Sequence, residues 1–283
     1  MDNEWTTVIE PKNRLLRLNL REVWQYRDLC MLLVRRAITT QYKQTLLGVL
    51  WFVIQPLFTT AMFMVVFGGI AGISTDGLPQ PLFYLSGIAL WNYFADSLTK
   101  NANTFVDNAP IFGKVYFPRV VMPVSIVISH LLRLAIQLGL FLLVYAVYQI
   151  WIMPGAIHTN GYVLLLPLLI VMLAGHSLAF SMLFSSLTTK YRDLQVMLSF
   201  VVGLWMYATP VIYPLSTITD SRLHTVMMLN PVSSIVEAFR YGMLGVGELN
   251  GWGLAYSFGV MVVLLLLALV TFNKVQRDFM DHV

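Results

Sequence analysis

Four stretches of the chain contain no Asp, Glu, Lys or Arg: residues 44–75, 134–189, 194–219 and 249–273. A helix needs about 20 predominantly apolar residues to cross the hydrocarbon core of a bilayer, and each of these stretches exceeds that. The second holds most of two spans. Placed by the apolar runs and their punctuation, six spanning helices are expected at about 46–70, 81–104, 120–150, 162–187, 194–212 and 253–272. Pro56 lies inside the first, a kink that membrane helices tolerate where neighbours satisfy the freed carbonyl. Asp96 and Lys100 fall in the last turns of the second, and Pro154-Gly155 with Asn160-Gly161 marks the turn between the third and fourth.

Residues 213–252, between spans five and six, are too apolar for an ordinary loop. Pro214 and Asn230-Pro231 break the segment into short pieces, which reads as a pair of helices dipping into the outer leaflet and returning. The first 45 residues carry charges throughout and lack a short apolar core followed by small residues, so they are expected to persist rather than to be cleaved as a signal peptide. Within them, residues 24–43 show a helical period. Tyr26, Leu29, Cys30, Leu33, Val34 and Ala37 share one face, and Asp28, Arg35, Arg36, Thr39 and Lys43 surround the other. Such a helix should lie in the cytoplasmic interface with its apolar side towards lipid and its basic side towards phosphates. The expected organisation is an interface segment over 1–45, a six-span domain over 46–272 with an inner loop at 100–119 and an outer segment at 213–252, and a tail at 273–283.

Composition agrees: 58% of residues are hydrophobic and 11% charged, and mean hydropathy is +0.71, whereas soluble domains are near a quarter charged. Charge placement adds orientation. With both termini cytoplasmic, all of the 18 basic residues except Arg133, Arg222 and Arg240 fall on the cytoplasmic side, as the positive-inside rule requires. A seventh span at 224–247 would reverse that for Lys274 and Arg277 and would bury Glu237 and Arg240. The single cysteine, Cys30, excludes an intrachain disulfide and any cysteine-built metal site.

Arg133 sits about 13 residues into span three, roughly 20 Å deep at about 1.5 Å per residue. An unpaired charge there is costly, so it must face protein or water. Its candidate counter-ions are Glu237 and Asp96, with His130 on the same helical face; the pair is either a structural tie or a substrate contact. Arg35, Arg36 and Lys43 are candidates for meeting an anionic lipid head group. Of the 7 Trp, 13 Tyr and 17 Phe, those near span ends are mostly interfacial anchors. Trp51, Tyr84, Trp91, Trp205, Tyr207 and Tyr213, together with Arg133, are candidates for lining a pathway, since sugar rings stack on aromatic faces. Gly68 and Gly72 stand at a spacing that permits close helix approach. The chain contains no Gly-x-x-x-x-Gly-Lys-Ser/Thr phosphate loop, no His-Glu-x-x-His pair and no Gly-x-Ser-x-Gly elbow. ATP hydrolysis on this chain is therefore not expected.

Several strings resemble one family. They are Arg27-Asp28-Leu29, Val34-Arg35-Arg36, Tyr42-Lys43-Gln44-Thr45-Leu46-Leu47-Gly48-Val49-Leu50-Trp51, Gln55-Pro56-Leu57, Leu85-Ser86-Gly87, Trp91-Asn92-Tyr93-Phe94, Lys114-Val115-Tyr116-Phe117-Pro118-Arg119, Tyr191-Arg192-Asp193, Pro210-Val211-Ile212-Tyr213-Pro214 and Leu229-Asn230-Pro231. Together they resemble the Wzm-like permeases of ABC exporters for O-antigen and, more distantly, teichoic acid. That resemblance implies an all-α membrane protein of six spans, working as a homodimer in the bacterial inner membrane with two copies of a separate ABC ATPase. ATP and magnesium would bind the ATPase, leaving this chain without a cofactor or metal. It further implies a coupling helix in the loop between spans two and three, matching Asn108 to Arg119, with Lys114, Tyr116, Phe117 and Arg119 docking on the ATPase. The short helices between spans five and six would form an outer gate. The implied cargo is a polysaccharide attached through diphosphate to undecaprenol, O-antigen first; teichoic acid, a capsule polymer, or a small lipid or drug are alternatives on the same fold, and nucleic acid is not a partner.

A membrane-bound glycosyltransferase would need carboxylates or histidines gathered at one membrane face. Asp96, Asp107 and Asp193 sit in separate segments without metal-ligand spacing. An ion-coupled carrier would be expected to show several intramembrane ionisable groups or inverted repeats. Arg133 alone does not make that case.

Overall fold

Apolar runs interrupted by proline and glycine produce only helices here. The computed structural model describes residues 24–42, 47–112, 117–155, 157–188 and 193–280, and among them every regular element is helical. In chain order these are α1 (Arg27–Tyr42), α2 (Trp51–Phe63), α3 (Gln80–Ala102), α4 (Thr104–Phe112), α5 (Val121–Val147), α6 (Leu166–Thr188), α7 (Leu194–Tyr207), α8 (Ser221–Leu229), α9 (Pro231–Leu244) and α10 (Gly251–Met280). A wider π turn extends α2 over Met64–Ile70 and α5 over Tyr148–Ile152, and a 3-10 turn leads into α6 over Gly161–Leu165.

Four helical stretches are long and apolar enough to cross a membrane: Gly48–Ile70, Val121–Ile152, Gly161–Thr188 and Gly251–Val275. They coincide with expected spans one, three, four and six. The expected second span is α3, 23 residues long but diluted by Asn92, Asp96, Ser97, Lys100 and Asn101. Its setting explains that composition. Residues 82–91 are buried without a break, and α3 packs against α2, α5, α6, α7 and α9. A helix enclosed by its neighbours does not need an apolar surface for lipid, provided that its polar groups are satisfied. Ser86 Oγ donates to the Phe83 carbonyl at 2.7 Å and Asn101 Nδ2 to the Pro123 carbonyl at 3.2 Å.

The expected fifth span is shorter than its apolar run. α7 ends at Tyr207 after 14 residues, because the prolines at 210 and 214 cannot continue a helix and lack the donor that would close its last turn. The following segment holds α8 and α9, broken at Asn230-Pro231 as the sequence suggested. Pro231 opens α9 at its first position, the Asn230 side chain accepts from Val232 N at 3.1 Å, and Gly245 closes the helix at φ +71°, the left-handed end that glycine allows. α9 is buried along almost its whole length, whereas α8 contains no buried residue.

The apolar face of α1 does not face lipid as expected. Cys30 and Leu33 pack with Phe105, Phe117, Val121, Met122, Met182, Ala268, Leu269 and Phe272 into an apolar cluster. Met31 and Leu32 are exposed instead. The start of α5 and the later turns of α10 offer α1 a matching apolar surface, so protein replaces lipid as its partner. The Gly68/Gly72 pair also serves a different end. Gly68 makes room for the Gln80 side chain, and Gly72, at φ +65°, ends the first span.

Candidate functional site

A broad concavity lies where α1 leans across the end of α3 and the start of α4 and of α5. It is an open cavity of about 860 Å³ lined by Arg36, Asp96, Lys100, Asp107, His130 and Arg133, with Thr40, Thr99, Asn103 and Asn108 between them. Two residues singled out independently in the sequence, Arg36 on the interface helix and Arg133 inside span three, therefore share one site.

At the deep end, Arg133 pairs with Asp96 on α3 through Nη1 and donates from Nη2 to Gln55 Oε1 on α2 at 3.0 Å. Its guanidinium also lies 5.0 Å from the centre of the Phe52 ring, a favourable cation–π placement. The Arg133 and Asp96 side chains are 13% and 35% exposed. Of the two expected counter-ions, Asp96 is the partner. His130, one turn away, hydrogen-bonds Ser97 Oγ through Nδ1 at 3.0 Å. Arg133 thus ties α2, α3 and α5 together at one level.

At the shallow end, Lys100 Nζ meets Asp107 Oδ2 at 2.7 Å, with side chains 59% and 39% exposed. This pair joins the end of α3 to the first turns of α4. Arg36 is exposed and, among the described residues, makes no ion pair. Arg35 is exposed beside it; Lys43 lies outside the described residues.

Glu237, the other expected counter-ion, belongs to a constellation that sequence reasoning missed. Arg240 on α9 is only 2% exposed. It donates from Nε to Ser86 Oγ at 3.2 Å, from Nη2 to the carbonyls of Val211 at 2.9 Å and Phe83 at 3.3 Å, and from Nη1 to the Pro210 carbonyl and to Glu237 Oε1, the latter at 3.5 Å. Its guanidinium also lies 3.7 Å from the Phe83 ring centre. One side chain thereby satisfies the carbonyls freed where the chain stops being helical after α7 and ties α9 to α3. The signal was present as the Pro210 break and a lone arginine in an apolar segment, but no spacing connects residues so far apart.

The aromatic candidates divide. Tyr84 and Trp91 are buried inside this chain at 0% and 4% exposure, and Trp91 packs with Phe94, Phe180 and half-buried Trp205 in a cluster of mostly edge-to-face rings. That favoured ring geometry makes Trp91 and Tyr84 part of the core, not of a surface that a channel between copies would use. Trp51 and Tyr207 are exposed; Tyr213 is half-buried and donates from its hydroxyl to the Tyr207 carbonyl at 2.7 Å.

Of the expected docking residues, Phe117 and Arg119 are each 6% exposed. Phe117 belongs to the apolar cluster around Cys30 and Leu33, and burial lowers the pKa of the Arg119 guanidinium from its ordinary value. Both side chains are packed against the rest of the chain. Lys114 and Tyr116 lie outside the described residues. Among the described residues no group of three or more His, Cys, Asp or Glu is placed to hold a metal ion.

Comparison with known proteins follows the same lines. The family model described as "ABC-2 type transporter" matches residues 28–244. The chain is 29% identical, over 93% of its length and 98% of the relative's, to the O-antigen export system permease protein RfbA of Myxococcus xanthus. It is 26% identical to the protein of the same description from Klebsiella pneumoniae, over 90% of this chain and 94% of that one. To the inner membrane transport permease YadH of Escherichia coli (strain K12) it is 24% identical, over 79% and 87% respectively.

Proposed function

The chain belongs to the ABC-2 type transporter family, and from that premise we propose that it is the membrane subunit of an ATP-driven exporter that carries a lipid-linked polysaccharide, O-antigen in the first instance, across the bacterial inner membrane. Members of this family act as transport permeases and not as enzymes. In this reading α3 and α7 join the four long apolar helices to make six spans, both termini are cytoplasmic, and α8 and α9 form a re-entrant outer gate. Two copies enclose the channel, and two copies of a separate ATPase dock beneath α4. The O-antigen assignment is supported by the relatives named as O-antigen export permeases, which the chain matches along nearly its whole length.

The observation that carries the mechanism is the cavity holding Arg36, Lys100 and Arg133. A polysaccharide attached to a lipid through diphosphate presents two charged phosphates between an apolar tail and a neutral chain. Cations in a concavity open beside an interface helix suit that head group, because charge-assisted hydrogen bonds to phosphate are among the strongest available. Among the described residues Arg36 pairs with no carboxylate, and it is the first cation a head group would reach. The deeper Arg133 shapes the floor through its partners.

Affinity purification of the tagged chain in mild detergent tests this. The expected result is a stoichiometric ATPase partner and ATP hydrolysis in the preparation, with the lipid-linked polymer accumulating on the cytoplasmic face of cells that lack the chain. Purification of the chain alone, even after crosslinking in membranes, would overturn the ATP-driven reading.

A further inference from the structure

Two ion pairs line the same cavity, and they are built differently. Arg133 is held on several sides, by Asp96, Gln55 and the Phe52 ring, in a largely enclosed position. Among the described residues, the charged groups of Lys100 and Asp107 bond only to each other, 2.7 Å apart and both exposed to solvent. The first pair is fixed in place by its neighbours; the second is open to exchange, since an exposed pair is weakly held and water or an anion can replace either partner. Asp107 also occupies a telling position. It lies in the first turns of α4, the helix that leads into the stretch read as the ATPase dock, whereas Lys100 belongs to the last turn of α3.

We propose that a diphosphate head group arriving in this cavity takes Lys100 from Asp107, so that the Lys100–Asp107 pair acts as an exchangeable latch reporting cargo to α4. The proposal rests on the head-group reading of the cavity given above. A diphosphate offers Lys100 more negative charge than one carboxylate and brings that charge within range of Asp107. It therefore both competes for the lysine and repels the aspartate. Arg36, across the cavity and without an ion pair among the described residues, supplies the second cation. Asp96 does not exchange, because Arg133 remains tied to α2 through Gln55. The released α4 is free to shift against the end of α3, and that shift is the signal passed to the ATPase.

The test uses the complete complex of the chain with its ATPase, reconstituted in lipid nanodiscs, with undecaprenyl diphosphate as the probe. Binding of the probe and ATP hydrolysis with and without it are measured for wild type, Asp107→Asn and Asp107→Glu. For Asp107→Asn, probe binding should tighten by about two- to five-fold, the scale of removing one exposed competing charge. Hydrolysis without probe should rise to the probe-stimulated level of wild type, with no further response to the probe. Asp107→Glu, which can remake the pair, should restore low basal hydrolysis and stimulation. Unchanged basal and stimulated rates in Asp107→Asn, with the probe still bound, would overturn the latch while leaving the head-group site standing. Absence of probe binding in wild type and both variants would overturn the head-group reading itself, and the latch with it.

Discussion

Arg133 and Arg240 are both arginines placed deep in an apolar protein, yet they are satisfied in opposite ways. Arg133 has a carboxylate and an amide from two other helices and keeps partial access to the cavity. Arg240 spends most of its donors on backbone carbonyls and is enclosed. Replacing Arg240 with Met therefore removes the arginine's bonds to the Pro210 and Val211 carbonyls and to the Glu237 carboxylate. The expected loss is roughly 3–5 kcal/mol, the scale for breaking a buried charged network, seen as a collapse in the yield of folded chain. Gly87→Ala probes the same place more gently. A Cβ there would lie 2.8 Å from Arg240 Nη2 and 3.1 Å from Val211 Cα, and overpacking of that kind costs about 1–3 kcal/mol; thermal stability in detergent measures it. Arg133→Ala should be milder, roughly 1–3 kcal/mol after discounting for the partial exposure of Asp96. If the charge is a structural tie, Asp96→Asn added to Arg133→Ala should recover yield, because the stranded carboxylate is gone.

Among the elements, α8 and α9 have similar apolar character in sequence but different roles in the fold. α9 is capped by Asn230, which also donates to the Ala208 carbonyl at 2.9 Å and to Thr209 Oγ1 at 2.8 Å. α8 has no buried residue and exposes Leu223, Val226 and Leu229. Local opening is easiest where little apolar surface is buried. Hydrogen exchange of the purified chain should therefore show α8 exchanging well before α9, and comparable protection of the two would contradict the division. Asn230→Ala removes a cap together with two further bonds, an expected cost of about 1–2 kcal/mol, read as a lower melting temperature.

For the molecule as a whole, orientation is the central claim, and it is open to direct measurement. In a Cys30→Ser background, Arg222→Cys should react with a membrane-impermeant maleimide in intact cells, and Lys274→Cys only after permeabilisation. The reverse pattern would invert the topology and move the cavity to the wrong side for a head group made in the cytoplasm.

How much of this was legible from the chain alone depended on the range of the interaction involved. The sequence by itself determined the membrane class, the four long apolar helices, the break at Asn230-Pro231 and the charge asymmetry, because hydropathy, proline geometry and charge act locally and are additive along the chain. It also narrowed the partner of Arg133 to two carboxylates. Only the tertiary structure decided between Asp96 and Glu237, enclosed Tyr84 and Trp91 in the core, turned the apolar face of α1 onto protein, and buried Phe117 and Arg119. It also gathered Ser86, Pro210 and Val211 around Arg240. Each of those outcomes depends on which helices become neighbours, and an apolar face has the same sequence pattern whether lipid or another helix covers it.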